Sequence, residues 1–326
     1  MQPHQLNPEI DPQFSAVNDY IINHLGSNVP LVEKIGHYIV RSGGKRFRPL
    51  LVLLATNACN YPKQDTQTDH IKLAAVIEFI HTATLLHDDV VDGSDLRRGK
   101  DTANAKWGNA PSVLVGDFLY SRAFQIMVEI GQLKIMDIIS NATNVIAEGE
   151  VLQLLNSRNP DLSEEDYMKV IIGKTAMLFE AATETGAVLA GASPTQQSAL
   201  QLYGRHLGIA FQLVDDVMDY LSSAEEMGKN TGDDLAEGKA TLPLIQAMKE
   251  TDAENRKLIR KAIREGGLED LQPVLAAVKA TGAIEYTQQK AQQQSQLAID
   301  SLAGVPDSSF KDTLITLAKL AVERKS

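Results

Sequence analysis

Asp88, Asp89 and Asp92 close an apolar run, and Asp215, Asp216 and Asp219 repeat the Asp-Asp-x-x-Asp spacing at the end of another, Leu207 to Val214. On a helix, residues four apart share a face, so Asp88 points with Asp92 and Asp215 with Asp219. Carboxylates this close repel one another, and removal from water adds to the cost. At a helix C-terminus they also oppose the macrodipole. A penalty carried twice asks for a cation. Hard oxygen donors suit Mg²⁺, which keeps much of its water and is usually held by one or two carboxylates plus substrate phosphates. One motif alone could be a solvated helix end. Two such pairs, facing one another, would form a cage of oxygen ligands.

Basic residues cluster where an anion could use them. Ser42 to Pro49 presents Lys45, Arg46 and Arg48 after Gly43-Gly44, and Arg97 and Arg98 follow the first acidic motif. Lys174-Thr175 falls mid-helix, and Lys229 and Lys239 flank Gly232-Asp-Asp234. Singly, each is an ordinary surface charge. Gly43-Gly44 lacks the spacing of a P-loop. Collectively they offer guanidinium groups for bidentate phosphate contacts beside carboxylates for metal. Glu78-Phe-Ile-His81 matches the Glu-x-x-His of di-iron bundles, but the sequence has no second copy, which that site requires. His81 precedes Asp88 by seven residues, two helical turns, and so shares its face.

The elements that must position these groups read as helices. Ile71 to His87 is apolar on nearly every side, as expected of a helix deep inside a protein. Ser112 to Ile130, Leu133 to Leu155, Ser163 to Leu189 and Leu200 to Leu221 are further long helices, with Ser163 and Asp166 forming an N-terminal cap. No strand-like alternation exceeds four residues, and there is no long Gly/Ser/Pro linker or repeat, so the fold class is all-α in one domain over residues 1–326. The Gln-rich stretch Thr287 to Gln296 reads as a solvated helix face.

The balance of 31 Lys plus Arg against 42 Asp plus Glu, a net charge of −11, excludes a nonspecific nucleic-acid binder. The single cysteine, Cys59, excludes an internal disulfide framework and a Cys-based zinc site, which fits a reducing cytoplasm. The start of the chain lacks the pattern of a signal peptide, and no apolar run reaches transmembrane length.

Several segments together resemble the trans-isoprenyl diphosphate synthase family, in its order and over roughly residues 40 to 245. They are Gly43-Gly-Lys-Arg-Phe-Arg-Pro-Leu50, His81 with His87-Asp-Asp-Val-Val-Asp92, Leu96-Arg-Arg-Gly99, Gly173-Lys-Thr175, Phe211-Gln-Leu-Val-Asp-Asp-Val-Met-Asp219 and Gly228 to Asp234. Within that family the chain is most similar to bacterial long-chain members. Gly93 stands where an acidic residue is common and Asp101 where proline is frequent.

The resemblance implies an isoprenoid synthase fold, a large bundle of long helices around a central cavity. It implies head-to-tail condensation of isopentenyl diphosphate with an allylic diphosphate such as farnesyl diphosphate, giving a long product, octaprenyl foremost, for quinone side chains. Asp88, Asp92 and Asp215 would hold two or three Mg²⁺, with Asp89, Asp216 and Asp219 completing the cage. Arg97, Lys174 and Lys229 would contact the allylic diphosphate. Lys45, Arg48, His81 and Arg98 would hold isopentenyl diphosphate, and Thr175 and Gln212 would lie near the reacting carbons. Ala83, five positions before the first motif, stands where an aromatic would block chain growth. Thr84 sits beside it, and Ala123, Phe124 and Met127 have the spacing of a floor to the product tunnel. A homodimer is implied as well. A class I terpene cyclase would lack Asp215-Asp216-x-x-Asp219 and need no second diphosphate site, and a non-catalytic regulatory subunit would be expected to lose metal ligands.

Overall fold

The stretch expected as a buried helix is one. Helix α4, Asp69–Val91, is sealed along Leu73, Ala74, Val76, Ile77, Ile80 and Leu86, none of which reaches solvent. An apolar surface on every side leaves such a helix no stable place but the interior. The computed structural model describes residues 6–61, 68–221 and 232–323. Over these residues the architecture is all-α apart from one two-stranded ribbon. It forms two compact units.

The first unit takes residues up to Ala142, Leu178–Gly204 and Ser301–Leu317. It contains α1 Asp11–Asn23, α2 Pro30–Arg41, α3 Phe47–Ala58 and α4. Beyond α4 come α5 Ala103–Trp107, α6 Asn109–Ile130 and the start of α7, Leu133–Asn156. Helix α4 packs on α1, α3 and α6. Ser112 on α6 donates to the Leu86 carbonyl at 3.1 Å, pinning the two helices together near the first acidic motif. Pro111 lies in the first turn of α6, where its missing N–H costs no helical bond.

The ribbon pairs Leu96-Arg97 with Lys100-Asp101, with Arg98 at φ 53° and Gly99 at φ 72° between them. Two left-handed residues in a row make the primed turn that suits the twist of a hairpin. Strands of two residues are too short to show any alternation, so the sequence gives no sign of them.

The second unit takes Thr143–Met177, Arg205–Asp300 and the residues from Ala318. Its core includes Ile209, Leu213, Val217, Leu244, Ile259 and Val274. Helix α8, Glu164–Ile171, starts at Ser163, whose hydroxyl accepts from the Asp166 N–H as expected. The helix expected as a single span from Ser163 to Leu189 is interrupted: a π-helical turn, Ile172–Ala176, separates α8 from α9, Met177–Leu189. Helix α10, Pro194–Leu221, carries the second acidic motif at its end. On the helix Ala283–Ser301, Thr287, Ala291 and Ser295 face inward and Gln288, Gln289, Gln292 and Gln293 outward, so the Gln-rich stretch is a solvated face except at Gln294, which is half-buried 2.7 Å from His206 Nδ1.

Candidate active site

In the first unit, the start of α3 and the middle of α4 gather a basic cluster. Arg48 Nη1 donates to His81 Nε2 at 3.1 Å, and its guanidinium lies 4.5 Å from the centre of the Phe179 ring. Because a guanidinium only donates, His81 accepts at Nε2 and is neutral. Burial, and then the charges of Arg48, Arg98 and Arg97, hold His81 well below the ordinary imidazole range. Arg46 Nη1 stands 3.5 Å from Glu78 Oε1. Burial raises the Glu78 carboxyl while Arg46, Arg48 and Arg98 pull it down. Glu78 and neutral His81 thus both face arginines, unlike the paired ligands of a di-iron site.

Gly44, at φ +140°, backs onto the Arg98 guanidinium, and a Cβ there would stand 2.7 Å from Arg98 Nη1. The paired glycine therefore makes room for the arginine of the hairpin turn. Lys45 is exposed on the same loop. Lys45, Arg48, His81 and Arg98 all belong to this unit. Such a cluster suits a multiply charged anion with bidentate oxygens.

The first acidic motif is sorted by burial. Asp89 is wholly buried, and Arg97 closes on it with Nε at 2.8 and 3.1 Å from its two oxygens and Nη2 at 2.7 Å from Oδ1. Asp88 and Asp92 are partly exposed one turn apart, the Asp92 N–H donating to the Asp88 carbonyl at 2.8 Å. Beside them His87 Nε2 approaches the Val113 carbonyl at 3.2 Å and Asp117 at 3.3 Å, over the space that Gly116 leaves open.

The second motif is sorted the same way. Asp215 is exposed, whereas Asp216 and Asp219 are buried. Asp219 accepts from the Asp233 N–H at 3.2 Å and the Asp234 N–H at 3.3 Å. Tyr167 donates to Asp216 Oδ2 at 2.5 Å, and Gln212 Nε2 donates to Oδ1 at 2.7 Å. Thr175 completes the chain with a bond to Gln212 Oε1 at 2.9 Å. Burial, then the charge of Asp234, pushes the Asp216 carboxyl well above its usual value, and the donors Tyr167 and Gln212 oppose that.

Lys174 and Thr175 sit in the π turn, a rare geometry that recurs at functional sites. Lys174 Nζ is anchored to Glu150 Oε2 at 2.7 Å. The turn lies against Gly149 of α7, where a Cβ would come within 2.7 Å of the Lys174 nitrogen. Glu150, Gly149 and Tyr167 were missed in the sequence. Tyr167 could have been found, being two helical turns before Lys174. Lys229 lies outside the described residues.

Ala83 is fully buried on α4, with Thr84 half-buried and bonded to the His81 carbonyl at 2.8 Å. Ala123 and Met127 are buried and Phe124 half-buried on α6, the helix packed against α4.

In the first unit, Asp88 and Asp92 offer two partly exposed carboxylates one turn apart, oxygen donors of the kind that fit a hard divalent ion. Among the described residues no group of three or more His, Cys, Asp or Glu side chains forms a protein-only metal cage. A Mg²⁺ that completes its shell with phosphate oxygens and water requires none.

Comparison with known proteins gives one answer. The family model described as polyprenyl synthetase matches residues 29–280. The octaprenyl diphosphate synthase of Escherichia coli (strain K12) is 51% identical over 325 residues, 99% of each chain. The octaprenyl diphosphate synthase of Haemophilus influenzae is 50% identical, over 96% of this chain and 94% of that one. Among solved structures, the polyprenyl synthase of Caulobacter crescentus CB15, complexed with calcium and isoprenyl diphosphate, superposes with a TM-score of 0.95 at 42% identity, over 99% of this chain and 98% of that one. The fold is the all-α isoprenoid synthase fold, and the chain belongs to the polyprenyl synthetase family and is a prenyltransferase.

Proposed function

We propose that the chain condenses isopentenyl diphosphate head-to-tail onto an allylic diphosphate, with farnesyl diphosphate as primer, and repeats the step to an octaprenyl product for quinone side chains. The observation that carries this reading is the arginine cluster around neutral His81, a diphosphate site that a terpene cyclase does not need. Retention of both acidic motifs speaks against a non-catalytic regulatory subunit.

Lys45, Arg48, His81 and Arg98 hold isopentenyl diphosphate. Arg97, Lys174 and Lys229 contact the allylic diphosphate. Asp88, Asp92 and Asp215 are the carboxylates that would hold two or three Mg²⁺. Asp89, Asp216 and Asp219 fix the helix ends that carry them, through Arg97, Tyr167, Gln212 and the Asp233 and Asp234 backbone. In the reaction the allylic C–O bond breaks and its electron pair leaves with diphosphate. The alkene of isopentenyl diphosphate supplies the pair for the new C–C bond, and loss of a proton restores an alkene. Arg97 and Lys174 stabilise negative charge as it develops on the leaving group. Bound Mg²⁺ supplies further charge neutralisation on those oxygens. Thr175 and Gln212 lie beside the reacting carbons, and the apolar wall of α4 keeps water from the cation.

Ala83 and Thr84, with Ala123, Phe124 and Met127, line the path of the growing chain. The two compact units act as one catalytic domain, which the family match across residues 29–280 supports. The enzyme works in the cytoplasm as a homodimer. Leu114 and Val128, 65% and 64% exposed about four turns apart on one face of α6, support such an interface. Among the described residues no helix is long and apolar enough to cross a membrane.

Mass analysis of products from farnesyl and isopentenyl diphosphates with Mg²⁺ tests the reading. Elongation that requires isopentenyl diphosphate supports it. Hydrocarbon formed from the allylic diphosphate alone would establish a cyclase instead.

A further inference from the structure

Tyr167 belongs to none of the groups assigned to substrate or metal, yet its hydroxyl ends a directed polar chain. It is 4% exposed and donates at 2.5 Å to Asp216, itself 3% exposed. The other Asp216 oxygen takes the Gln212 amide N–H at 2.7 Å, and Gln212 Oε1 takes the Thr175 hydroxyl proton at 2.9 Å.

These bonds run in one direction: the Gln212 amide presents its nitrogen to Asp216 and its oxygen to Thr175, whose single hydroxyl proton is consumed there. What remains on Thr175 Oγ1 is lone pairs, so any group facing that oxygen meets an acceptor and a partial negative charge. The π turn that carries Thr175 starts just after the helix that carries Tyr167, so both ends of the chain are fixed by one stretch of backbone, Glu164 to Ala176.

We propose that Tyr167 is a positioning residue for the condensation: acting through Asp216 and Gln212, it fixes the Thr175 hydroxyl as an electron-rich oxygen toward the allylic carbons. This rests on the reading that places Thr175 beside those carbons. A tyrosine that only satisfied its own buried hydroxyl would affect stability and nothing else.

The test uses the full chain with Mg²⁺ and the variants Tyr167→Phe, Thr175→Val and their combination. In Tyr167→Phe, kcat falls about 10-fold, as for the loss of one hydrogen bond acting on a charged centre, while both KM values stay within about twofold. An ammonium analogue of the allylic cation, bound together with inorganic diphosphate, weakens by a similar factor. A thiodiphosphate analogue of the allylic substrate, which carries no positive charge on its allylic carbons, binds as before. The double variant loses no more than Thr175→Val alone, because both changes cut one chain. Additive losses, or equal weakening of both analogues, would overturn the proposal. Should the Phe variant not fold, Gln212→Met cuts the chain one link later at similar volume and must show the same selective loss for the ammonium analogue; equal losses for both analogues again overturn it. Wild-type chain that fails to elongate would sink the underlying reading, whereas active wild-type with an unaffected Tyr167→Phe sinks only this inference.

Discussion

Arg97 closes on Asp89 through Nε and Nη2, the latter at 2.7 Å from a carboxylate that reaches no solvent. The middle aspartate of the first motif is thereby committed to the hairpin that follows it. Asp88 and Asp92 are the two left partly exposed at the end of α4. Removing one partner of a buried pair leaves an uncompensated charge, which costs about 3–5 kcal/mol. Arg97→Met is expected to destabilise the chain on that scale and to raise KM for the allylic substrate. Lys45→Met, on an exposed loop, should alter stability by less than about 0.5 kcal/mol. Urea unfolding of the two variants checks the contrast, and equal stabilities would refute it.

Gly149 touches the backbone of the π turn. A Cβ at 2.7 Å from the Lys174 nitrogen must push the turn away, and the obstacle is backbone with little room to yield. Gly149→Ala should therefore cost about 1–3 kcal/mol of stability from overpacking. It should also lower kcat about 10²-fold through misplacement of Lys174 and Thr175. Steady-state kinetics on the folded variant decide this; a normal kcat would show that the turn tolerates displacement.

His81 carries a pH dependence of definite sign. Its folded-state value lies well below the ordinary 6.5, because of burial and then Arg48, Arg98 and Arg97. The unfolded chain therefore binds a proton that the folded chain refuses. The His81 contribution is intact above pH 6.5 and is lost as pH falls below it toward the depressed folded value. His81→Gln should flatten the fall in stability over that acid window. Chemical unfolding at stepped pH measures it, and an unchanged slope would contradict the assignment. Isopentenyl diphosphate, bringing negative charge to the arginines, should raise the His81 value in a histidine NMR titration.

Ala83→Phe is expected to shorten the product, since a ring at this buried position on α4 would obstruct the growing chain. Chromatography of the products is the check. Unchanged length would remove Ala83 from the tunnel wall.

Much of this was legible in the residues themselves. Helix α4 announces itself because Ile71 to His87 is apolar on every side, and the two Asp-Asp-x-x-Asp motifs sit at helix ends where their mutual repulsion marks them. What stayed hidden depends on contacts between distant residues or on backbone geometry. Lys174 and Glu150 are 24 residues apart, and no local spacing pairs them. The π turn at Ile172–Ala176 shares the apolar pattern of an ordinary helix. Asp88 and Asp89 look alike in sequence, and only burial separates the one committed to Arg97 from the one left half-exposed.

The most direct measurement is Mg²⁺-dependent elongation by the wild-type chain beside Asp88→Ala and Asp215→Ala, with farnesyl and isopentenyl diphosphates and mass detection of products. The account predicts long polyprenyl diphosphates from wild type and a loss of about 10²-fold or more in each variant, with folding retained. Full activity in Asp215→Ala, or elongation by wild type undiminished after Mg²⁺ is chelated, would contradict it.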